Sequence, residues 1–362
     1  MKLFDDKRVV MTLDAGGTSF RFHAMQGGKP VTETIKTLID SGDLQSCLDA
    51  IFEGFEKTRA ACPEAPVAIS FAFPGPADYP AGIIGDLGNL PGFRGGVPLG
   101  PMLEEKFGIP VFINNDGDLF AYGEALAGFL PVINQALEDA GNPKRFHNLL
   151  GVTFGTGFGG GIVRNGELHV GDNSIAGEIW CSSNIVETGK NAEEGVAIRA
   201  VKREYAKRAG ISPEDAPDPF EIEQIAFGKA EGDADAAKTS YQLLGKVAGG
   251  AMANALTMVD GLAVIGGGLS AAAPLYMPSL VETMRGKHEE TGVPRIASKV
   301  FNLEDEAELA EFLMNHSKEI TVPGTDRKVS YDPVQRIGVG VSKMGTSEAI
   351  TTGAYAFALK HI

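Results

Sequence analysis

The sequence predicts an α/β protein of two domains. Three observations carry this. Short apolar runs of strand character alternate with stretches of helical periodicity along most of the chain. Two glycine-rich turns of one type, Asp14-Ala15-Gly16-Gly17-Thr18 and Gly155-Thr156-Gly157-Phe158-Gly159-Gly160-Gly161, each follow one apolar run and lead into another. The 362 residues suffice for two cores of ordinary size.

The elements follow in order. Residues 8–13, 19–25 and 31–37 read as strands, with the first glycine turn between the first two. Residues 43–60 place Leu44, Cys47, Leu48, Ile51, Phe52 and Phe55 on one side of a helix. Residues 67–73 form a strand that Pro74-Gly75-Pro76 forces to turn. Asn89-Leu90-Pro91-Gly92-Phe93 is a loop, 99–107 a short helix, 110–114 a buried strand, and 117–127 a helix. A second set begins near Leu149 with the second glycine turn, then an irregular stretch over 166–191. Residues 194–209 are helical and stop at Gly210; 213–219 is a loop, and 233–259 a long helix. A strand at 262–265 runs into Gly266-Gly267-Gly268, and the chain closes with a strand at 337–341 and a helix at 347–360. Residues 296–335, charged and without period, read as an excursion. The predicted division is a small domain of 1–115 plus about 345–362, and a large one of 116–344. The repeated strand-turn-strand pattern hints at an old duplication.

Composition excludes several functions. A net charge of −15 argues against nucleic acid or an anionic membrane as main partner, because phosphate surfaces call for clustered Lys and Arg. No run of about 18 apolar residues occurs, so no membrane span is expected, and the first residues do not read as a secretory leader. Three widely spaced cysteines suit a reducing cytoplasm better than a disulfide framework, and no pair has zinc-ligand spacing.

The candidate chemistry gathers at the turns. Glycines let bare backbone N–H groups approach an anion, and Thr18 and Thr156 add hydroxyls, so two such turns could hold a polyphosphate. Asp14 is either a turn residue or a carboxylate that holds Mg²⁺ against phosphate oxygens. Asn115-Asp116 opens a helix at a strand's carboxyl end. One of the pair is expected as N-cap, and the other reading is a base that accepts a hydroxyl proton during phosphoryl transfer. Gly266-Gly267-Gly268 serves close packing or the approach of a base or ribose. Glu178 is a surface carboxylate or a sugar ligand. Trp180, the single tryptophan, packs in the core or against a sugar ring. The six histidines form no cluster.

Taken in order, Leu13 to Thr18 with Arg21, Phe73 to Asp78, Asn89 to Phe93, Asn115-Asp116 with Glu124, Gly155 to Gly161, Ala176-Gly177-Glu178 and Ile265 to Gly268 span nearly the whole chain. Seven motifs in this order resemble the ROK family of bacterial sugar kinases. The resemblance implies the two-domain actin-like ATPase and sugar kinase (ribonuclease H-like) fold, closing over ATP and sugar. It implies Asp116 as the base that activates the sugar hydroxyl. Gly75, Asn89, Asn115, Glu178 and, across a changed loop, Glu187 fall at the sugar. Asp14, Gly16, Gly17, Thr18, Thr156 and Gly157 fall where the family holds phosphates and Mg²⁺, and Gly267 and Gly268 at the adenosine edge. Many members carry a histidine three residues after the glutamate of the Gly-Glu pair, followed by a cysteine-rich zinc loop. Here Cys181 takes that place and 182–191 has no cysteine, so zinc is not implied.

The expected function is ATP- and Mg²⁺-dependent phosphorylation of a hexose, with glucose to glucose 6-phosphate as first choice and an N-acetylhexosamine as the alternative. The rivals are a catalytically inactive sugar sensor and an actin-like ATPase acting on protein or acetate. A cytoplasmic homodimer is the family expectation.

Overall fold

The computed structural model describes residues 3–16 and 18–362. The chain forms two compact units. Unit 1 gathers the described residues up to Ala127 with Leu168–Ala176 and Met344–Ile362; unit 2 gathers Gly128–Glu167 and Gly177–Lys343. The helix Asp116–Leu126 thus groups with unit 1.

In unit 1 the strand Val10–Ala15 pairs antiparallel with Ser19–Gln26, from Val10 opposite Met25 to Ala15 opposite Phe20. Its other edge is parallel to Ala68–Ala72, which is parallel in turn to Val111–Asn114. Period-2 alternation points Met11, Leu13, Phe20, Phe22, Ile69 and Phe71 into one core, filled by Cys47, Ile51 and Phe55 of the helix Leu44–Ala61 and by Leu99, Leu103 and Phe107 of the helix Leu99–Phe107. Asp43 caps the first helix by accepting from Gln45 N–H, and Gly108, left-handed at φ 68°, ends the second. The C-terminal helix Thr346–His361 packs on the three mutually parallel strands and on the helix Asp116–Leu126. Glycine sets that helix contact: a Cβ at Gly123 would lie 2.0 Å from Ala349 O, and one at Gly353 2.1 Å from Leu119 O.

Unit 2 repeats the plan. Asn148–Phe154 pairs antiparallel with Phe158–Arg164 across the second glycine turn, and parallel with Leu262–Gly266. Arg336–Val341 follows, parallel to both Leu262–Gly266 and Lys299–Asn302. The helices Ala234–Val259 and Ala273–Arg285 pack closely, with Gly245 and Gly249 admitting the carbonyls of Tyr276 and Leu280.

Five stretches differ from the sequence reading. The strand expected at 31–37 is held to Ile35–Leu38, and the helix expected at 194–209 breaks at the extended Ala197 into Glu193–Val196 and Ile198–Ala209. Residues 296–335, read as irregular, contain the sheet's edge strand Lys299–Asn302, the helix Glu306–Leu313 and an exposed hairpin of Lys318–Thr321 with Lys328–Tyr331. An edge strand of four residues leaves too little alternation to read. The helix Phe129–Asp139 passes unseen because Pro131 falls in its first turn, where a missing N–H costs no helical bond. The expected loop at 213–219 holds the short 3₁₀ turn Pro213–Asp215 and opens the helix Pro219–Ala226, capped by Asp218.

Candidate functional site

The parallel strands of unit 1 end together, so their carboxyl edge brings separate chain segments to one place. Ala72 sits in register with Asn114, and the residues just beyond each strand turn into a pocket of about 190 Å³. Asp14, Phe73, Pro74, Asn89 and Asp116 line it, joined by Ser347, Ile350 and Thr351 of the C-terminal helix. This edge is where α/β sheets receive ligands.

Asp116 is the first residue of its helix, and Asn115 is the cap. Asn115 Oδ1 accepts from Gly117 N–H at 2.8 Å, while its Nδ2 donates to Tyr79 OH at 3.3 Å. Tyr79 OH in turn donates to Phe73 O at 3.0 Å. Asn115 therefore ties the helix start to the loop after Ala68–Ala72. With capping supplied next door, Asp116 needs only one bond of its own, from Gly117 N–H to Oδ1 at 2.9 Å. Among the described residues no ion pair reaches its carboxylate. Protein crowded around that carboxyl desolvates it and pushes it above the ordinary aspartate range, against the pull of the backbone N–H groups of Gly117 and Asp116. Its surface remains open to solvent, so this is the desolvation of a group on a pocket floor, not of one sealed in a core.

Asp14 stands opposite Arg21 in the antiparallel ladder, and their side chains meet at 3.6 Å. Both are about half exposed, so this pair contributes little and leaves Asp14 open to the pocket. Gly16 and Thr18 are exposed at the turn, where Gly16 N–H donates to Ser19 O at 3.2 Å. Gly17 lies outside the described residues. Gly75 is exposed, begins a cis peptide with Pro76, and lies beside Tyr79 OH.

In unit 2 the glycine turn 155–157 meets the turn 266–268. Gly266 pairs with Thr153, Leu269 N–H donates to Phe154 O at 2.9 Å, and a Cβ on Gly155 would come 3.9 Å from Gly268 N. Gly267, at φ +90°, leaves no space for a side chain: a Cβ there would sit 2.3 Å from Phe154 O. Gly268 and Thr156 face open space and solvent respectively. Gly160 lets the Gly177 carbonyl close in, which seats the segment carrying Glu178 against the strand Phe158–Arg164. Glu178 is half-buried and accepts a hydrogen bond from Trp180 Nε1. Trp180 is 39% exposed, which removes the core-packing reading. Glu187 is engaged by Lys190 Nζ at 3.1 Å and Arg203 at 3.5 Å.

The residues that sequence reasoning missed are Ser347, Ile350 and Thr351 in the pocket, and Glu193, whose carboxylate accepts the Phe158 N–H at 3.1 Å. A Glu in the first turn of the short helix Glu193–Val196 gives no local sign of such a role. Among the described residues no group of three or more His, Cys, Asp and Glu could hold a metal ion, and no helix is long and apolar enough to cross a membrane.

Residues 10–304 match the model of the ROK family. The glucokinase from Parabacteroides distasonis, known from a crystal structure, is 53% identical with a TM-score of 0.93, and all of each chain is covered. The glucokinase of Halalkalibacterium halodurans is 29% identical over 185 residues, 49% of this chain and 50% of that protein. The N-acetyl-D-glucosamine kinase of Vibrio parahaemolyticus is 32% identical over 170 residues, 46% of this chain and 50% of that protein. The alignments with these last two kinases thus span about half of their length. The fold is the actin-like one shared by ROK sugar kinases. With the family model covering both glycine turns and the Asn115-Asp116 helix start, and sugar kinases as its relatives, this chain belongs to the ROK family.

Proposed function

We propose that this protein transfers the γ-phosphoryl group of ATP to a hexose hydroxyl, with glucose as first substrate and the 6-hydroxyl as acceptor. The observation that carries the reading is Asp116, a carboxylate on a pocket floor, capped by its neighbour and free of ion pairs among the described residues. The sugar oxygen attacks the γ-phosphorus, its proton passes to the Asp116 carboxylate, and ADP leaves. Asn89 and Gly75 border the sugar, with Asn115 holding the turn beneath it. Glu178, fixed by the Trp180 indole, accepts sugar hydroxyls, and Glu187 is assigned only a peripheral share. Gly16, Gly17, Thr18, Thr156 and Gly157 supply phosphate donors, and Gly267 and Gly268 the flat backbone for adenosine.

Asp14 fits a Mg²⁺ ligand: it is an exposed carboxylate on the same pocket, and Mg²⁺ characteristically takes one or two carboxylates with water and phosphate oxygens. The ion would neutralise charge on the triphosphate. An N-acetylhexosamine is the second reading, favoured by the name of the Vibrio relative. ADP release measured across a panel of hexoses and N-acetylhexosamines with ATP tests the proposal. No turnover with any sugar overturns it in favour of a sensor.

Two outcomes follow from the geometry. The base works only when ionised, and its carboxyl lies above the ordinary range, so kcat/KM should fall on the acid side at a pH above an ordinary aspartate's titration. A profile that stays flat down to about pH 4 contradicts that assignment. Trp180→Phe keeps an aromatic ring and removes the donor to Glu178, so KM for the sugar should rise about fivefold with KM for ATP little changed. An unchanged sugar KM removes Trp180 and Glu178 from the sugar site.

A further inference from the structure

A turn rich in glycine has little conformational preference of its own. The turn at 155–157 is held from outside by the residues around the start of the helix Ile198–Ala209. Ile198 N–H donates to Gly155 O at 2.8 Å, and Arg199 Nη1 donates to Thr156 O at 3.2 Å. Gly155 N–H bonds Gly157 O at 3.0 Å, and Phe158 N–H donates to Glu193 Oε2 at 3.1 Å. The carbonyls of Gly155, Thr156 and Gly157 thus each accept a hydrogen bond that fixes their direction. One guanidinium also joins the acids beside the turn: Arg199 Nη2 holds Glu193 Oε1 at 2.8 Å and Glu194 Oε1 at 2.7 Å. Glu193 is close enough that a Cβ on Gly157 would lie 2.6 Å from its Oε2.

We propose that Arg199 is a positioning residue for the nucleotide. It fixes the Thr156 carbonyl, so that the turn is ordered before ligand arrives, and it offsets the charge of Glu193 and Glu194, which would otherwise repel a triphosphate. Glu193 is its partner in the clamp: its carboxylate orders the turn through Phe158 N–H and is tolerable there only while paired. This role rests on the reading of the turn as a phosphate site. It is distinct from the acid-base chemistry of Asp116, so it acts on nucleotide affinity and not on the proton transfer.

Steady-state kinetics of the full-length protein test it. Arg199→Ala should raise KM for ATP about tenfold, keep KM for the sugar within about twofold, and retain most of kcat. The double variant Arg199→Ala with Glu193→Gln should recover part of that loss, since it removes the unpaired charge. A purely structural role would instead lower kcat and raise the sugar KM in parallel with the KM for ATP. Arg208→Ala, which breaks the ion pair with Glu204 further along the same helix, should leave all three parameters unchanged. Where Arg199→Ala fails to fold, Arg199→Lys, which keeps charge without the fork, should show a smaller rise in the same parameter. An unchanged KM for ATP in the Arg199 variants, beside a wild type that binds ATP, overturns this role alone. Parallel losses in sugar KM and kcat also overturn it. A wild type with no affinity for ATP overturns the nucleotide reading and this role with it.

Discussion

Asp116→Asn is expected to lower kcat by about 10²–10⁴ while ATP still binds, the range for loss of a positioned general base. The substitution is chosen because it changes little else. Asn has the same shape, can accept the Gly117 N–H that Asp116 Oδ1 accepts, and suits the first turn of a helix. The effect on stability should run the other way. A carboxyl raised above its ordinary range binds its proton more tightly in the folded state than in the unfolded one. Between the ordinary and the raised value the folded state therefore holds more protons, and stability falls as pH rises through that window. A neutral Asn does not suffer that loss. Melting near pH 7 should be unchanged or slightly higher in Asp116→Asn, and the difference should vanish below the ordinary aspartate range. Loss of turnover without loss of stability separates a chemical role from a structural one. Turnover near that of wild type would remove Asp116 as the base.

The fold was legible where local chemistry and tertiary demand agree. Leu99–Phe107 has helical period, an aromatic anchor and a glycine that reverses the chain at Gly108. The strands before the two glycine turns read as continuous apolar runs because both of their faces are buried over four residues, Val10–Leu13 and Leu149–Val152. Lys299–Asn302 did not show itself, since its strand identity comes from pairing with Arg336–Val341 and not from its own four residues. The candidate site divides in the same way. Asp14 and Asp116 could be named because one closes an apolar run within its strand and the other lies just past one, and strands of a parallel sheet deliver their carboxyl ends to one edge. Ser347 and Thr351 reach the same pocket from a helix more than 200 residues later in the chain, and no local pattern announces that contact. Arg199 was hidden for the same reason: its partners Thr156 and Glu193 are assembled by folding. Trp180 was open to two readings, and only its exposure and its bond to Glu178 separate them.

Gly123→Ala is expected to destabilise the protein by about 1–3 kcal/mol, against the sign that helix propensity alone would give. Gly123 lies inside the helix Asp116–Leu126, where Ala in place of Gly gains about 0.8–1.0 kcal/mol of propensity. The new methyl would lie 2.0 Å from Ala349 O and 2.7 Å from Ala349 C. Both are backbone atoms of the C-terminal helix, so no side chain can rotate out of the way. The two helices must separate, and overpacking outweighs propensity. Separation also moves the site, because the first helix begins at Asp116 while the second carries Ser347, Ile350 and Thr351 into the pocket. Turnover should therefore fall along with the melting temperature, and Gly353→Ala, which meets Leu119 O at 2.1 Å from the other side, should reproduce both effects. Since each variant forces the same pair of helices apart, combining them should cost less than the sum of the two. A melting temperature equal to or above that of wild type in either single variant would mean that the helices yield without loss and that their close contact does not fix the position of Asp116.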